Sequence, residues 1–288
     1  MYFEPAPAKI NLALHVTGRR ADGYHDLESL VVFADVADEL TAVPAARDSL
    51  RIEGPFGSGL EAGETNLVMR AVAAFRKAWP GHAPDALAFE LKKNLPVAAG
   101  LGGGSADAAA ALRLLAAAGP RPIAIEDLVA LGAGLGSDVP ACLLSRPLIM
   151  RGVGERLSVL PDFPAYHVVL VNPLIPVATA ETFRRLQNRE NPPLPALPDP
   201  LTRPAQLALW LAETRNDLEP PAMELVPVIA TLVDALARAP GCVLARMSGS
   251  GASVFGLFGS GAQAHQAAHD LRQTAPGSWV AAAPLIAP

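Results

Sequence analysis

LPVAAGLGGGSADAAAAL, residues 95–112, sets a glycine-rich turn directly before an alanine-rich run. Gly100, Gly102, Gly103 and Gly104 carry no side chain, so the backbone there can approach a ligand closely and take positive φ. A helix opening at about Ser105 and ending at Gly119, with Pro120 just beyond, aims its first N–H groups and its positive dipole end at that turn. Backbone donors gathered at a helix N-terminus suit a phosphate. Two better-known glycine motifs do not fit. A Walker A loop needs Lys and then Ser or Thr after its last glycine, whereas Gly104 is followed by Ser105 and Ala106. In the dinucleotide fingerprint G-x-G-x-x-G, Ser105 stands where the third glycine belongs. A plain flexible loop is the alternative, and small polar Ser105 and Asp107 in the first turn favour the ligand.

The rest of the chain sets bounds on that reading. Its 288 residues allow one large domain or two smaller ones, and 51% hydrophobic with 18% charged residues is a globular composition. A net charge of −5 gives no general attraction to nucleic acid. Cys142 and Cys242 stand in apolar surroundings without metal-ligand spacing and read as buried thiols in a reducing compartment. MYFEPAPAKI lacks the basic-then-apolar pattern of a secretion signal, and no apolar run reaches the length of a membrane span. These features predict a cytoplasmic protein without membrane or nucleic-acid partners.

Hydrophobic periodicity supplies the elements. Residues 8–16, AKINLALHV, alternate: Ala8, Ile10, Leu12, Leu14 and Val16 point one way, Lys9, Asn11, Ala13 and His15 the other. This predicts a half-buried strand with Lys9 and Asn11 on one polar face. A turn-rich segment TGRRADGYHDL comes next, then strands near 30–34 and 39–43. A helix capped by Thr65 or Asn66 runs to Trp79 and stops at Pro80 and Gly81. A strand at 86–92 leads into Lys92, Lys93 and the glycine loop, and a helix near 126–135 precedes LGSDVP. Beyond residue 150, strands are expected at 166–171, 243–247, 254–258 and 278–283, with helices at 179–187, 205–213, 221–238 and 261–273. Residues 188–204 contain six prolines and form a stiff, irregular excursion. Strands and helices interleave, which predicts an α/β or α+β fold in two lobes.

Three separated segments carry a resemblance: PAKINL at 7–12, the glycine stretch at 95–112, and MSGSGASVF at 247–255. In this order and spacing they strongly resemble the GHMP kinase superfamily of galactokinase, homoserine kinase and mevalonate kinase. The resemblance implies an α+β fold of two lobes. An N-terminal nucleotide-binding α/β domain (1–150) and a C-terminal ferredoxin-like substrate-binding domain (151–288) hold the active site between them. PAKINLALHVTGRRADGYHDLESL, GLGSDVPACL at 134–143, RGVGERL at 151–157 and NDLE at 216–219 resemble one branch of it. That branch acts on a cytidine-diphosphate-linked methylerythritol in the non-mevalonate route to isoprenoid precursors. The resemblance therefore implies an ATP- and Mg²⁺-dependent enzyme working on that small molecule, as a monomer or weak homodimer. A homoserine- or mevalonate-type kinase, or a noncatalytic nucleotide and metabolite sensor, is the alternative.

The same resemblance implies residue roles. Asp138 is the catalytic base; its position before Val139 and Pro140 also reads as a helix N-cap, and the two do not exclude each other. Lys9 is its cationic partner, and Asn11 holds the substrate hydroxyl or diphosphate. Pro96, Gly100, Gly102, Gly103, Gly104, Ser105 and Ala106 hold ATP. Ser105 is expected to meet a phosphate or Mg²⁺, although Mg²⁺ often keeps its waters and binds through the phosphates. Asp107 stands where the family often has asparagine and reads as favouring the helix dipole. Tyr24, His25 and Phe183 are expected around the cytosine, with core packing the alternative for Phe183. Lys93 is expected to reach a substrate or nucleotide group. MSGSGAS reads as a turn packed against the phosphate loop, or as a flexible hairpin.

Overall fold

The computed structural model describes residues Met1–Pro288. They form two compact units: Met1–Ala8 with Ala37–Val97 and Gly102–Ser145, and Lys9–Val36 with Ala98–Leu101 and Arg146–Pro288. A single cut at residue 150 does not reproduce this grouping, because residues 9–36 group with the C-terminal part of the chain. Strand β1 (Tyr2–Arg19) and strand β2 (His25–Pro44) each belong partly to both units. Strands expected at 30–34 and 39–43 are therefore one, since the pattern through Asp35–Asp38 remains extended instead of turning.

In the first unit, the end of β2 pairs antiparallel with β4 (Leu87–Lys92), Glu39 opposite Lys92. β3 (Ser49–Glu53) pairs parallel with β4. This edge strand of five residues, SLRIE, is too short to register as a periodic pattern. α1 (Leu67–Ala78) starts where the Asn66 carboxamide accepts the Val68 N–H at 2.9 Å, so Asn66 is the cap of the two candidates. α1 packs on α2 (Gly103–Ala117), which also meets α4 (Val139–Leu144); α3 (Ile125–Ala133) packs on α4. Ala106 and Ala108–Ala111 are all buried, so alanine serves here to let neighbours approach α2 from several sides.

In the second unit, β2 pairs with β5 (Leu148–Gly152), and β5 forms a hairpin with β6 (Arg156–Val159), a four-residue strand the pattern does not reveal. A second sheet has the antiparallel order β10-β7-β9-β8, from β7 (His167–Asn172), β8 (Cys242–Met247), β9 (Val254–Phe258) and β10 (Trp279–Pro284). Helices α5 (Thr179–Arg184), α6 (Pro204–Ala212), α7 (Glu219–Leu225) and α8 (Val228–Ala237) lie between β7 and β8, and α9 (Gly261–Thr274) between β9 and β10. With outer β10 beside first strand β7, this is the expected ferredoxin-like topology. Ile229, Leu232 and Leu236 of α8 and Ala264, Ala268 and Leu271 of α9 join Val169, Val171 and Phe258 in its core. The single helix expected at 221–238 is two, because Pro227 pushes Val226 out of helical geometry (φ −136, ψ 82).

The expectation of a half-buried strand at 8–16 is corrected: residues 6–16 are buried throughout. Residues beyond 190 cover the second side. Leu14 exchanges backbone hydrogen bonds with Arg215 and Asp217, and the Asn191 N–H donates to the Val16 carbonyl. His15 bridges the Pro192 carbonyl and the Arg215 N–H. Residues 188–203 are irregular as expected, yet pinned at these points. No helix is long and apolar enough to cross a membrane.

Candidate active site

The glycine loop holds a shape that side chains would forbid. Gly100 has φ +73, and a Cβ on it would run into the Ser248 carbonyl and lie 3.0 Å from the Gly251 N and O. Gly102, in left-handed geometry (φ 64, ψ 17), is the N-cap of α2 and supplies no side-chain cap. α2 thus begins at Gly103, two residues before the expected Ser105, because Gly103 and Gly104 take helical geometry once Gly102 has made the turn. Gly103, Gly104 and Ser105 form its first turn, where N–H groups lack helical acceptors. The position of a Cβ on Gly104 is open space. Ala106 corrects the expected set: it is buried and its N–H donates to the Gly102 carbonyl at 2.9 Å. Pro96 is buried at the entry to the loop and has no N–H to offer.

The second glycine turn is held, not flexible. The Ser248 hydroxyl donates to the Gly100 carbonyl at 2.9 Å and accepts the Asn11 N–H at 3.2 Å. The Ser253 N–H donates to the Ala99 carbonyl at 3.1 Å. Two loops far apart in sequence thereby share one backbone arrangement.

Lys93 departs from its expected role. Its ammonium is buried between two carboxylates, donating to Asp38 and, at 2.7 Å, to Asp107. Asp38 also accepts the Asn94 and Leu95 N–H groups at 2.6 and 2.8 Å, which anchors the chain entering the glycine loop. Asp107 is likewise buried in this cluster, not exposed to serve the helix dipole; its Oδ1 is buried without a partner. Asp38 is absent from the residues singled out by motif, although it lies in phase with inward Leu40 and Ala42 of β2, and a charge in phase with core residues is a readable signal. Burial alone lowers the Lys93 pKa, but the two carboxylates outweigh it and hold the ammonium above its ordinary range. Burial pushes the Asp107 carboxyl up to about 7, against the pull of Lys93 and with the repulsion of Asp38.

That shift has a consequence for stability. Folding favours protonated Asp107, so its contribution falls as pH rises from the unfolded value near 4 towards 7. Asp107→Asn removes the surplus ionisation and leaves one carboxylate for one ammonium. The Tm of this variant relative to wild type is expected to be several degrees more favourable at about pH 8 than at about pH 5. The same difference at both pH values in thermal unfolding would overturn the account.

On β1, Lys9 is 4% and Asn11 1% exposed. Asn11 donates to the Ser29 hydroxyl at 2.7 Å, and Ser29 donates to the Ala13 carbonyl at 2.7 Å. This relay orients the carboxamide and leaves Asn11 Oδ1 buried without a partner. Asp138 is the N-cap residue of α4, half-buried, and its side chain makes no capping hydrogen bond. Of the two roles legible for it, the cap is therefore not used.

His25, at the start of β2, stacks on Phe183 of α5 with ring centroids 4.9 Å apart and planes 22° from parallel. Burial, with Arg189 and Arg19 adding to it, lowers the His25 pKa, and its Nε2 is buried without a partner. Phe183 is also packed against the core, the alternative reading of it. Tyr24 projects from the β1–β2 turn, where Gly23 has φ +91, and is 67% exposed. A buried orphan nitrogen beside a stacked ring suits a flat heterocycle with hydrogen-bonding edges.

Comparison with known proteins bears on the same features. The GHMP kinases N terminal domain model matches residues 66–146, and the GHMP kinases C terminal model residues 200–277. A 4-diphosphocytidyl-2-C-methyl-D-erythritol kinase of Dinoroseobacter shibae is 49% identical over 276 residues, 96% of this chain and 92% of that protein. Its counterpart in Paracoccus denitrificans is 51% identical over 284 residues, 98% of this chain and 96% of the relative. A crystal structure of 4-(cytidine 5'-diphospho)-2C-methyl-D-erythritol kinase superposes with a TM-score of 0.78 at 36% identity, over 98% of each chain. A homoserine kinase from Cytophaga hutchinsonii reaches 0.70 at 19% identity over 99% of this chain and 97% of that one, a likeness of fold. With both domain models matched and near-full-length identity of about half, the chain belongs to the GHMP kinases, in the branch of the 4-diphosphocytidyl-2-C-methyl-D-erythritol kinases.

Proposed function

We propose that this protein transfers the γ-phosphoryl group of ATP to the 2-hydroxyl of 4-diphosphocytidyl-2-C-methyl-D-erythritol, a step of the methylerythritol phosphate route to isoprenoid precursors. The observation that carries it is the uncapped N-terminus of α2, fed by left-handed Gly102, in a chain about half identical to kinases of that name. Phosphoryl transfer requires mainly positioning and charge stabilisation. The N–H groups of Gly103, Gly104 and Ser105 receive phosphate oxygens, as a helix N-terminus favours. No three His, Cys, Asp or Glu side chains are gathered for a metal. Ser105 would be the side chain nearest a Mg²⁺ carried by the triphosphate, and the ion would offset phosphate charge there.

Asp138 is assigned as the base that takes the 2-hydroxyl proton while the new P–O bond forms and the bond to the β-phosphate bridging oxygen breaks. Lys9 is assigned as a cation that eases loss of the hydroxyl proton. Asn11 Oδ1, buried and unpartnered, is an acceptor for a substrate hydroxyl. His25 and Phe183 are assigned to the cytosine, with His25 Nε2 meeting its edge and Tyr24 as an outer aromatic surface. This aromatic pair favours a cytidine-linked acceptor over homoserine or mevalonate, which have no base to hold.

The test is a coupled ADP-release assay with 4-diphosphocytidyl-2-C-methyl-D-erythritol and, separately, 2-C-methyl-D-erythritol 4-phosphate. Loss of stacking and edge contacts worth about 2 kcal/mol predicts a kcat/KM roughly 30-fold lower without the cytidine. Equal kcat/KM for the two acceptors would refute the assignment of the base.

A further inference from the structure

We propose that Asn216 is a positioning residue for the phosphate cradle: its two side-chain N–H bonds set the turn at 248–251 against which Gly100 is held. The proposal rests on the reading of the glycine loop as the ATP site.

The geometry starts at β1. Leu14 accepts from the Asp217 N–H and donates to the Arg215 carbonyl, both at 2.9 Å, so residues 215–217 lie along β1 like a short added strand. Asn216, 3% exposed, donates from Nδ2 to the Met247 and Gly249 carbonyls, both at 2.8 Å, and its Oδ1 accepts the Leu218 N–H at 3.0 Å. The same segment reaches the same turn again through Glu219, whose carboxylate accepts the Met247 N–H at 2.6 Å. Asp217 faces elsewhere, accepting the Val16 N–H at 2.7 Å and the Arg215 guanidinium at 2.6 Å.

What Asn216 holds is the part of the arrangement with the most backbone freedom to restrain. Gly249 and Gly251 have φ +56 and +89, and glycine has more backbone alternatives than any other residue. Two converging carbonyls with one NH₂ group between them select a single conformation of that turn. That conformation places the Ser248 hydroxyl on the Gly100 carbonyl and the Ser248 carbonyl where only a glycine at 100 can pass. The line of action runs from Asn216 through the turn to Gly100 in the glycine loop. Strand pairing would require only the backbone of residue 216. The side chain does something more.

The experiment uses the full chain with Asn216→Asp, which keeps size and the Leu218 contact but sets a carboxylate against two carbonyls. Steady-state kinetics in both substrates, titration with a nonhydrolysable ATP analogue and thermal unfolding are measured, with Asp217→Asn as the reference for bracing alone. Asn216→Asp is expected to raise KM for ATP and the analogue Kd about tenfold, with the acceptor KM within about twofold. Asp217→Asn is expected to lower Tm without moving the ATP constants. Ser248→Ala, combined with Asn216→Ala, is expected to raise the analogue Kd by less than the product of the single effects, because both act through one turn. Asn216→Ala carries the same readouts should the aspartate variant not fold. Unchanged ATP constants in folded Asn216 variants, a shift confined to the acceptor KM, or multiplicative effects in the double variant would each overturn the proposal. If Gly104→Val also leaves analogue affinity unchanged, the cradle reading itself has failed; if Gly104→Val weakens it and the Asn216 variants do not, only the proposal has.

Discussion

Asp138→Asn is expected to lower kcat by roughly 10²–10⁴-fold while the affinity for a nonhydrolysable ATP analogue stays within about twofold. Asp138 occupies the N-cap of α4, yet its side chain makes no capping bond, and Pro140 in the first turn has no N–H to cap. Asparagine also caps about as well as aspartate, so no capping penalty is expected. Asparagine matches aspartate in shape and differs in the one property the assigned role requires, since an amide does not take up the proton of an attacking hydroxyl. Pre-steady-state and steady-state ADP release, with thermal unfolding alongside, separate the outcomes. A lowered Tm with near-normal kcat would make Asp138 a structural residue and return the search for the base to the rest of the site.

Legibility of the fold depends on how local its determinants are. Glycine leading into alanine announces α2, and the Asn66 cap of α1 is readable because a cap acts within three residues of itself. β3 and β6, with five and four residues, span too few alternations to stand out from a loop. Pro227 is visible as a residue, but continuous apolar spacing on both sides conceals that it separates two helices. The ferredoxin-like order could not come from periodicity, because strand order is decided by contacts between distant segments; there only the resemblance to a family supplies it.

The site divides in the same way. Lys9 and Asn11 stand out because they alternate with core residues on one strand, although they are buried beside distant segments: the Lys9 N–H bonds the Leu101 carbonyl and the Asn11 N–H the Ser248 hydroxyl, 237 positions away. In the sequence Lys93 and Asp107 are separate polar residues, one suited to a ligand and one to a dipole. Only the fold shows that they share a buried cluster with Asp38. Asn216 and Ser248 give no local signal of their contacts. Their partners are 31 and 148 residues away for the Met247 and Gly100 carbonyls.

Gly104→Val is expected to weaken ATP-analogue binding by roughly 10²–10⁴-fold without loss of fold. Among the loop glycines it gives the informative substitution. At Gly100 a side chain meets the Ser248 carbonyl, and φ +73 is itself unfavourable for an L residue, so Gly100→Ala confounds binding with folding. At Gly103 a Cβ points back to Lys93 Nζ at 3.4 Å and Asp38 Oδ2 at 3.6 Å, so a larger group presses on the buried ion cluster. Gly104 has neither problem: its φ is not in the left-handed region, and nothing lies within 4 Å of the added Cβ. Valine is also a better helix former than glycine, so Tm is expected to hold or rise slightly. In the proposed ATP site, phosphate oxygens approach the first N–H groups of α2 through the open space at Gly104, and a branched side chain there would displace them. Losing two charge-assisted hydrogen bonds, each worth about 1.5–3 kcal/mol, gives the expected factor. Isothermal titration with the analogue reads the affinity directly, and circular dichroism melting reports the fold. Native affinity in a folded Gly104→Val protein would mean that the triphosphate lies elsewhere, and the uncapped end of α2 would need another explanation.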